Sequence, residues 1–179
     1  MRLQMMNEVV DDLLERVIDV SDTVDIATFS LDEHMVKRLG RTPLGMWPPR
    51  PPQEGKGIMI GGYPAVERIE SKDFTVNFGF FTALGVARTV TDKQVTWLLE
   101  REFLLANTVI PAPPPEYELG GISGGPLISW FESENFVSHH CLSGIVVEHP
   151  DYKNNKDMPP IERLIAIRAD SITESGKII

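Results

Sequence analysis

The sequence has few of the features that direct a chain to a disulfide scaffold, to nucleic acid or to a membrane. It contains a single cysteine, Cys141, which cannot form an internal disulfide and is typical of a reducing compartment. The net charge is -9 and lysine and arginine form no cluster, so the basic surface that binds phosphate backbones is missing. No apolar run approaches the ~20 residues of a membrane span. Acidic groups in the first residues also exclude the apolar core of a signal peptide. As given, the sequence predicts a cytoplasmic protein.

What the sequence does contain is a series of short apolar segments separated by glycine and proline. With 179 residues, 42% of them hydrophobic, the chain is long enough for one domain with a real core or for two small halves packed together. Segments rich in β-branched and aromatic residues predict strands, and they are Val24–Leu31, Gly57–Pro64, Phe74–Val90, Leu142–His149 and Arg163–Ala169. This pattern favours an all-β sandwich or barrel.

Two other segments affect this prediction. Asn7–Val20 has apolar residues that would share one face of a helix, although strand interpretations of its halves remain open. Arg41–Gly57 contains five prolines, which exclude a helix and a central strand and predict a surface loop.

The most unusual segment is ELGGISGGPLISW, from Glu118 to Trp130, which surrounds Ser123 with glycines. Glycine weakens a strand, so the motif suggests a reason beyond folding. It fits the G-x-S-x-G pattern of α/β-hydrolases, in which a helix follows the serine. Here Pro126 and an apolar run follow, which predicts a strand. A glycine-rich turn with an incidental serine is the structural alternative.

The six residues Gly121–Pro126 resemble the G-x-S-G-G-P motif of trypsin-like serine proteases, the chymotrypsin fold shared by the bacterial Deg/HtrA group. Three further segments are similar to landmarks of that family, in the same order. Asp25–Phe29 resembles the strand that begins with the catalytic aspartate, and Gly62–Pro64 resembles a strand end of the family. Ser143–Val146 looks like the strand that forms one wall of the primary substrate pocket.

The resemblance implies a fold and a domain organisation. It implies an all-β, trypsin-like double β-barrel in which the first barrel is partial and the second is complete. Residues 1–70 would form the partial first barrel, and residues 71–179 would form the second barrel with a C-terminal segment. The second barrel itself would run roughly from Ser71 to Ile172.

The resemblance also implies roles for individual residues in the hydrolysis of a peptide or protein substrate. Ser123 would be the nucleophile, with Asp25 as the aspartate of the catalytic triad. The backbone N–H groups of Gly121 and Ser123 would form the oxyanion hole. By the family layout, Tyr117 would lie near the base of the primary substrate pocket. The wall of that pocket would be formed by Val147, Glu148 and His149.

The site implied in this way needs no cofactor and no metal. His139 and His140 lie beside Cys141, but a metal site would need two more good ligands, and nothing nearby in the sequence supplies them.

The general base is the part of the family pattern that this sequence does not supply. The family's histidine lies well ahead of the aspartate, and none of the 24 residues before Asp25 is a histidine. Two explanations remain open: the chain lacks its beginning, which we expect, or it is a pseudoprotease that lost the base. Either way, the sequence predicts little or no peptidase activity for these 179 residues. A non-catalytic β module that binds a peptide along a strand edge is an alternative of a different class.

Overall fold

The computed structural model describes residues 3–5, 8–10, 12–40, 42–44, 47–70, 76–98, 117–133, 136–148 and 163–179. Four short strands and one helix precede the proline-rich segment, in the order β1 (Leu3–Met5), β2 (Glu8–Val10), β3 (Val17–Ser21), β4 (Ile26–Phe29) and α1 (Glu33–Arg38). The strands after it are β5 (Gly57–Gly62), β6 (Arg68–Glu70), β7 (Val76–Phe78), β8 (Phe81–Val90), β9 (Gln94–Leu98), β10 (Pro126–Ser133), β11 (Phe136–Glu148) and β12 (Arg163–Arg168). The predicted all-β class is confirmed.

Six strands close into an antiparallel barrel in the order β5-β8-β9-β12-β11-β10. Alternate residues of its strands point inward and pack on one another, as the period of a strand requires. The core residues are Ile58, Ile60, Ala83, Ala87, Val95, Trp97, Leu119, Ile122, Leu127, Val146, Leu164 and Ala166. Of the sandwich or barrel that the short apolar segments favour, the structure shows the barrel. Three of its core residues, Leu119, Ile122 and Leu127, come from the segment Glu118–Trp130.

The division into a partial first barrel and a complete second barrel stays a prediction. The closed barrel takes β5 from residues 57–62 and its other strands from residues 81–168. The remaining strands form three separate two-stranded sheets, β1-β2, β3-β4 and β6-β7. Within the described ranges, no helix is both long enough and apolar enough to cross a bilayer.

The helix expected over Asn7–Val20 is wrong, and the strand alternative for its halves is correct. Asp12 has a left-handed backbone, with φ 62°, which interrupts any helix at this point. A short 3-10 turn, Leu13–Arg16, follows it. The β-branched residues after the turn form β3, where Val17 and Val20 pair across to β4.

The last residues of the chain hold the β3-β4 hairpin. The Thr28 hydroxyl donates to the Gly176 carbonyl at 2.6 Å, and the Ile178 N–H donates to the Asp19 carboxylate at 3.0 Å. The Lys177 ammonium donates to the carbonyl of Ile18 at 3.2 Å. Because this segment follows β12 directly, it connects the hairpin to the barrel.

Candidate functional site around Ser123

The glycine-rich motif folds as two successive β-turns immediately before β10. The Ile122 N–H donates to the Leu119 carbonyl at 3.2 Å, and the Gly125 N–H donates to the Ile122 carbonyl at 3.0 Å. The third residue of each turn has a positive φ, 89° at Gly121 and 84° at Gly124. A positive φ at this position defines a type II turn and favours glycine. We call residues 119–125 the nucleophile turn, after the role that the sequence predicts for Ser123.

Two apolar side chains anchor the nucleophile turn in the barrel core. Leu119 and Ile122 are each only 1% exposed, whereas Ser123, which follows Ile122, is exposed. Ile122 lies where Gly62 of β5 has no side chain, and a Cβ on Gly62 would collide with it. The burial of position 122 is the physical reason for an apolar residue there.

Close packing also explains Gly125. A Cβ at this position would collide with the Gly61 carbonyl oxygen and would lie 2.9 Å from the Ile122 carbonyl oxygen. Gly121, Gly124 and Gly125 therefore each have a structural reason to be glycine. Their presence alone does not require catalysis, so any functional argument must come from the arrangement of Ser123 itself.

The nucleophile turn is bonded to β11, the strand expected to form the pocket wall. The Gly124 N–H donates to the Val146 carbonyl at 2.7 Å, and the Val146 N–H donates to the Gly125 carbonyl at 2.8 Å. The Ser123 hydroxyl donates to the Val147 carbonyl at 3.3 Å. Since 3.3 Å is long for an O–H···O hydrogen bond, this contact holds the hydroxyl only weakly.

The two backbone groups expected to form the oxyanion hole are the N–H groups of Gly121 and Ser123. In the described part of the chain, neither the Gly121 N–H nor the Ser123 N–H donates to a protein acceptor. Both residues are exposed, so water can satisfy the two groups. Backbone N–H groups that face solvent in this way can serve as the donors that bind an oxyanion in acyl-transfer sites.

Asp25 lies at the end of the turn that joins β3 to β4. It has a left-handed backbone, with φ 53°, and its side chain is exposed. Aspartate tolerates this conformation better than most residues, which gives Asp25 a structural role in the hairpin. Its carboxylate makes no hydrogen bond or ion pair among the described residues, so no bond joins it to Ser123.

None of the described histidines is bonded to Ser123 or Asp25. His34 lies on α1 and is exposed. His139 stacks on Phe131 across β10 and β11, with ring centroids 5.1 Å apart, and its neighbour His140 is exposed. Among the described residues, no histidine is therefore hydrogen-bonded as a general base to Ser123.

Tyr117 precedes the nucleophile turn and is bonded to a residue that the sequence did not indicate. Its hydroxyl donates to the Glu67 carboxylate at 2.8 Å, and its ring stacks on Phe81 with centroids 5.6 Å apart. Burial raises the pKa of Tyr117 well above its usual range, and the Glu67 carboxylate raises it further. No spacing or motif in the sequence connects Glu67 with Tyr117, which lie 50 residues apart.

The remaining predicted site residues are only partly described. Val147 lies on β11, and its carbonyl is the acceptor for Ser123. Glu148 ends the same strand, and His149 lies outside the described residues. Across the described ranges, no group of three or more His, Cys, Asp or Glu side chains is arranged to hold a metal ion.

Comparisons of the chain with protein-family models, with curated proteins and with solved structures found no match. An assignment of function therefore depends on the residues and on the geometry described above.

Proposed function

We propose that the chain carries the nucleophile and the oxyanion hole of a trypsin-like serine endopeptidase. The observation that supports this most is the pairing of the nucleophile turn with β11. Ser123 is exposed at the entrance to β10, and Gly124 and Val146 are bonded to each other across the two strands. The family resemblance requires the nucleophile turn and β11 to be adjacent. It makes the turn the carrier of the nucleophile and β11 the wall of the substrate pocket.

The proposed fold is the trypsin-like double β-barrel. In this proposal the closed barrel of β5 and β8 to β12 is the complete second barrel. The β3-β4 hairpin, which carries Asp25, belongs to the partial first barrel. The C-terminal segment bonded to that hairpin would then connect the two barrels.

Each residue has a defined part in the proposed chemistry. Ser123 Oγ attacks the carbonyl carbon of the scissile peptide bond while a base takes its proton, and the N–H groups of Gly121 and Ser123 bind the oxyanion. Asp25 would orient that base. Loss of one oxyanion donor typically costs about 3 kcal/mol in the transition state. A peptide or protein substrate would lie against β11 at Val147 and Glu148, with His149 beyond them and Tyr117 near the base of the pocket.

A catalytically inactive relative of the same fold is the second candidate. The Ser123 hydroxyl donates to a backbone carbonyl, and no described imidazole is bonded to it. A serine without a base is a poor nucleophile. In this case the site would bind a peptide and would not cut it.

An externally supplied base tests the proposal with the chain as it exists. A fluorophosphonate phosphonylates a serine when the Oγ–P bond forms, fluoride leaves and a base accepts the hydroxyl proton. We expect almost no adduct in buffer, because loss of a triad member removes several orders of magnitude in rate. Because Ser123 is exposed, added imidazole is expected to take the place of the base and restore adduct formation.

The mass of the intact protein gives the result. The adduct should form in the unaltered chain with imidazole, be absent in Ser123→Ala and persist in the matched variant Ser175→Ala, which removes another exposed hydroxyl. Failure of imidazole to restore any adduct, or an adduct that persists in Ser123→Ala, would overturn the proposal.

A further inference from the structure

The segment that follows β5 is bonded to the nucleophile turn and to Tyr117. The Ala65 N–H donates to the Gly120 carbonyl at 2.7 Å, within the first of the two β-turns. The Glu67 carboxylate accepts a hydrogen bond from the Tyr117 hydroxyl at 2.8 Å. Tyr117 lies two residues before the turn begins. Ala65 also lies close to Gly121, where an added Cβ would be 3.1 Å from the Ala65 nitrogen.

The backbone of Glu67 is held in place by two hydrogen bonds. Its N–H donates to the Pro64 carbonyl at 3.0 Å, and its carbonyl accepts from the Gly79 N–H at 3.0 Å. Gly79 leaves room for the carboxylate, because a Cβ at that position would lie 2.6 Å from Glu67 Oε2. Pro64 and Gly79 therefore fix the backbone of Glu67, and the missing side chain of Gly79 leaves space for the carboxylate that accepts from Tyr117.

Tyr117 transmits this constraint to the nucleophile turn. Its ring stacks on Phe81 and packs against the barrel core, and the buried Leu119 follows it by two residues. The Leu119 carbonyl accepts the hydrogen bond that closes the first turn. A change in the position of Tyr117 therefore acts directly on the turn that contains Gly121.

We infer that Glu67, acting through Tyr117, is a positioning residue that holds the nucleophile turn in the conformation in which the Gly121 and Ser123 N–H groups stay free for an oxyanion. The consequence for catalysis rests on the function proposed above. The mechanical part does not, because it concerns only the contacts of residues 65–67 with residues 117–121.

Amide hydrogen exchange tests the mechanical part. The reporting amides are Ile122, Gly124 and Gly125, whose N–H groups are bonded within the turn or to β11. Ile167, a buried residue of β12, serves as the reference amide in the barrel. The variants are Tyr117→Phe, which removes the hydroxyl and keeps the ring, and Glu67→Ala.

Two further variants separate the role of the bond from a change in charge. Glu67→Gln keeps an acceptor for Tyr117 and should have a smaller effect than Glu67→Ala. Glu70→Ala is the matched control, because Glu70 is an exposed acid of the neighbouring strand β6 that pairs with Arg68 at the surface.

We expect exchange at the three turn amides to become about tenfold faster in Glu67→Ala and Tyr117→Phe, as loss of a hydrogen bond to a charged group would give. Exchange at Ile167 should not change, and Glu70→Ala should have no effect. Unchanged turn amides, or equal acceleration at Ile167, would overturn the inference, since the second result would mean only global destabilisation.

Imidazole-assisted phosphonylation of Ser123 then tests the consequence. It should slow in Glu67→Ala and Tyr117→Phe and be partly recovered in Glu67→Gln. A loosened turn with an unchanged phosphonylation rate would mean that Glu67 is structural only, which would overturn its positioning role. If the unaltered chain forms no adduct, the proposed peptidase function fails, whereas hydrogen exchange still decides whether Glu67 holds the turn.

Discussion

The backbone N–H of Ile178 lies 3.0 Å from the Asp19 carboxylate and donates to it, so the end of the chain is bonded to the hairpin that carries Asp25. This hydrogen bond lowers the pKa of Asp19, with smaller contributions from the Val20 N–H and the Lys177 charge. A lowered pKa in the folded state means that the bond stabilises the fold above the ordinary aspartate value of 3.8. The stabilisation is lost as the pH falls through the lower, folded value.

We therefore predict that acid releases the C-terminal segment from the hairpin before the barrel unfolds. Amide NMR signals of Lys177 and Ile178 should shift as the pH falls below 3.8, while those of β9 and β12 should not. Asp19→Asn should abolish the pH dependence of these signals. The same acid transition in Asp19→Asn would contradict the assignment to Asp19.

The contribution of Tyr117 to stability depends on pH in the opposite direction, because it is lost at alkaline pH. Its pKa is raised in the folded protein, chiefly by burial, so its contribution to stability is fully present below the ordinary value of 10.0. The contribution is lost as the pH rises above this ordinary pKa and approaches the higher pKa of the folded protein. Denaturant melts should show stability declining above pH 10 in the unaltered chain and declining less steeply in Tyr117→Phe. Equal slopes in the two proteins would contradict the structure at this residue.

The glycines of the nucleophile turn should differ sharply in their tolerance of alanine. Gly125→Ala forces a Cβ into the Gly61 carbonyl, and we expect it to lower the free energy of unfolding by at least about 2 kcal/mol. Gly120→Ala is the matched control, since a Cβ there meets nothing within 4 Å and its φ is not positive. Its effect should stay within about 0.5 kcal/mol in urea denaturation. Equal costs for the two variants would mean that Gly125 does not lie against β5.

Substitutions of Asp25 distinguish its structural role from its proposed catalytic role. Asn tolerates the left-handed backbone at this position, so Asp25→Asn should change the free energy of unfolding by less than about 0.5 kcal/mol. Asp25→Ala should cost about 1 kcal/mol more, because alanine is strained at φ 53°. If Asp25 orients the base, Asp25→Asn should also slow imidazole-assisted phosphonylation of Ser123. A rate equal to that of the unaltered chain would leave Asp25 with the structural role alone.

The all-β class, as a sandwich or a barrel, could be predicted from the sequence because segments such as Gly57–Pro64 carry a strong local strand signal. In that segment the structure buries Ile58 and Ile60 at alternate positions. The strand β9, which buries Val95 and Trp97, is not among the predicted strands. The segment Asn7–Val20 carried a weaker signal, because its apolar residues fit a helix equally well. Pairing with β4 decided its conformation, and pairing between segments cannot be read from local periodicity.

The nucleophile turn could be predicted only in part. The motif located Ser123 before a strand, and the structure confirms that β10 follows it. The sequence did not show that Ile122 is a core residue, or that three of the glycines are required by packing and backbone conformation. Nor could it connect Glu67 with Tyr117, since their hydrogen bond depends on how the segment after β5 packs against the barrel.

A crystal structure of the chain after imidazole-assisted phosphonylation is the most direct test of the proposed site. The account predicts phosphorus bonded to Ser123 Oγ and a phosphoryl oxygen about 2.7–3.1 Å from both the Gly121 and Ser123 nitrogens, the distances of an oxyanion hole. A phosphonate on Ser123 whose oxygens point away from both N–H groups, or a phosphonate bonded to any other residue, would contradict it.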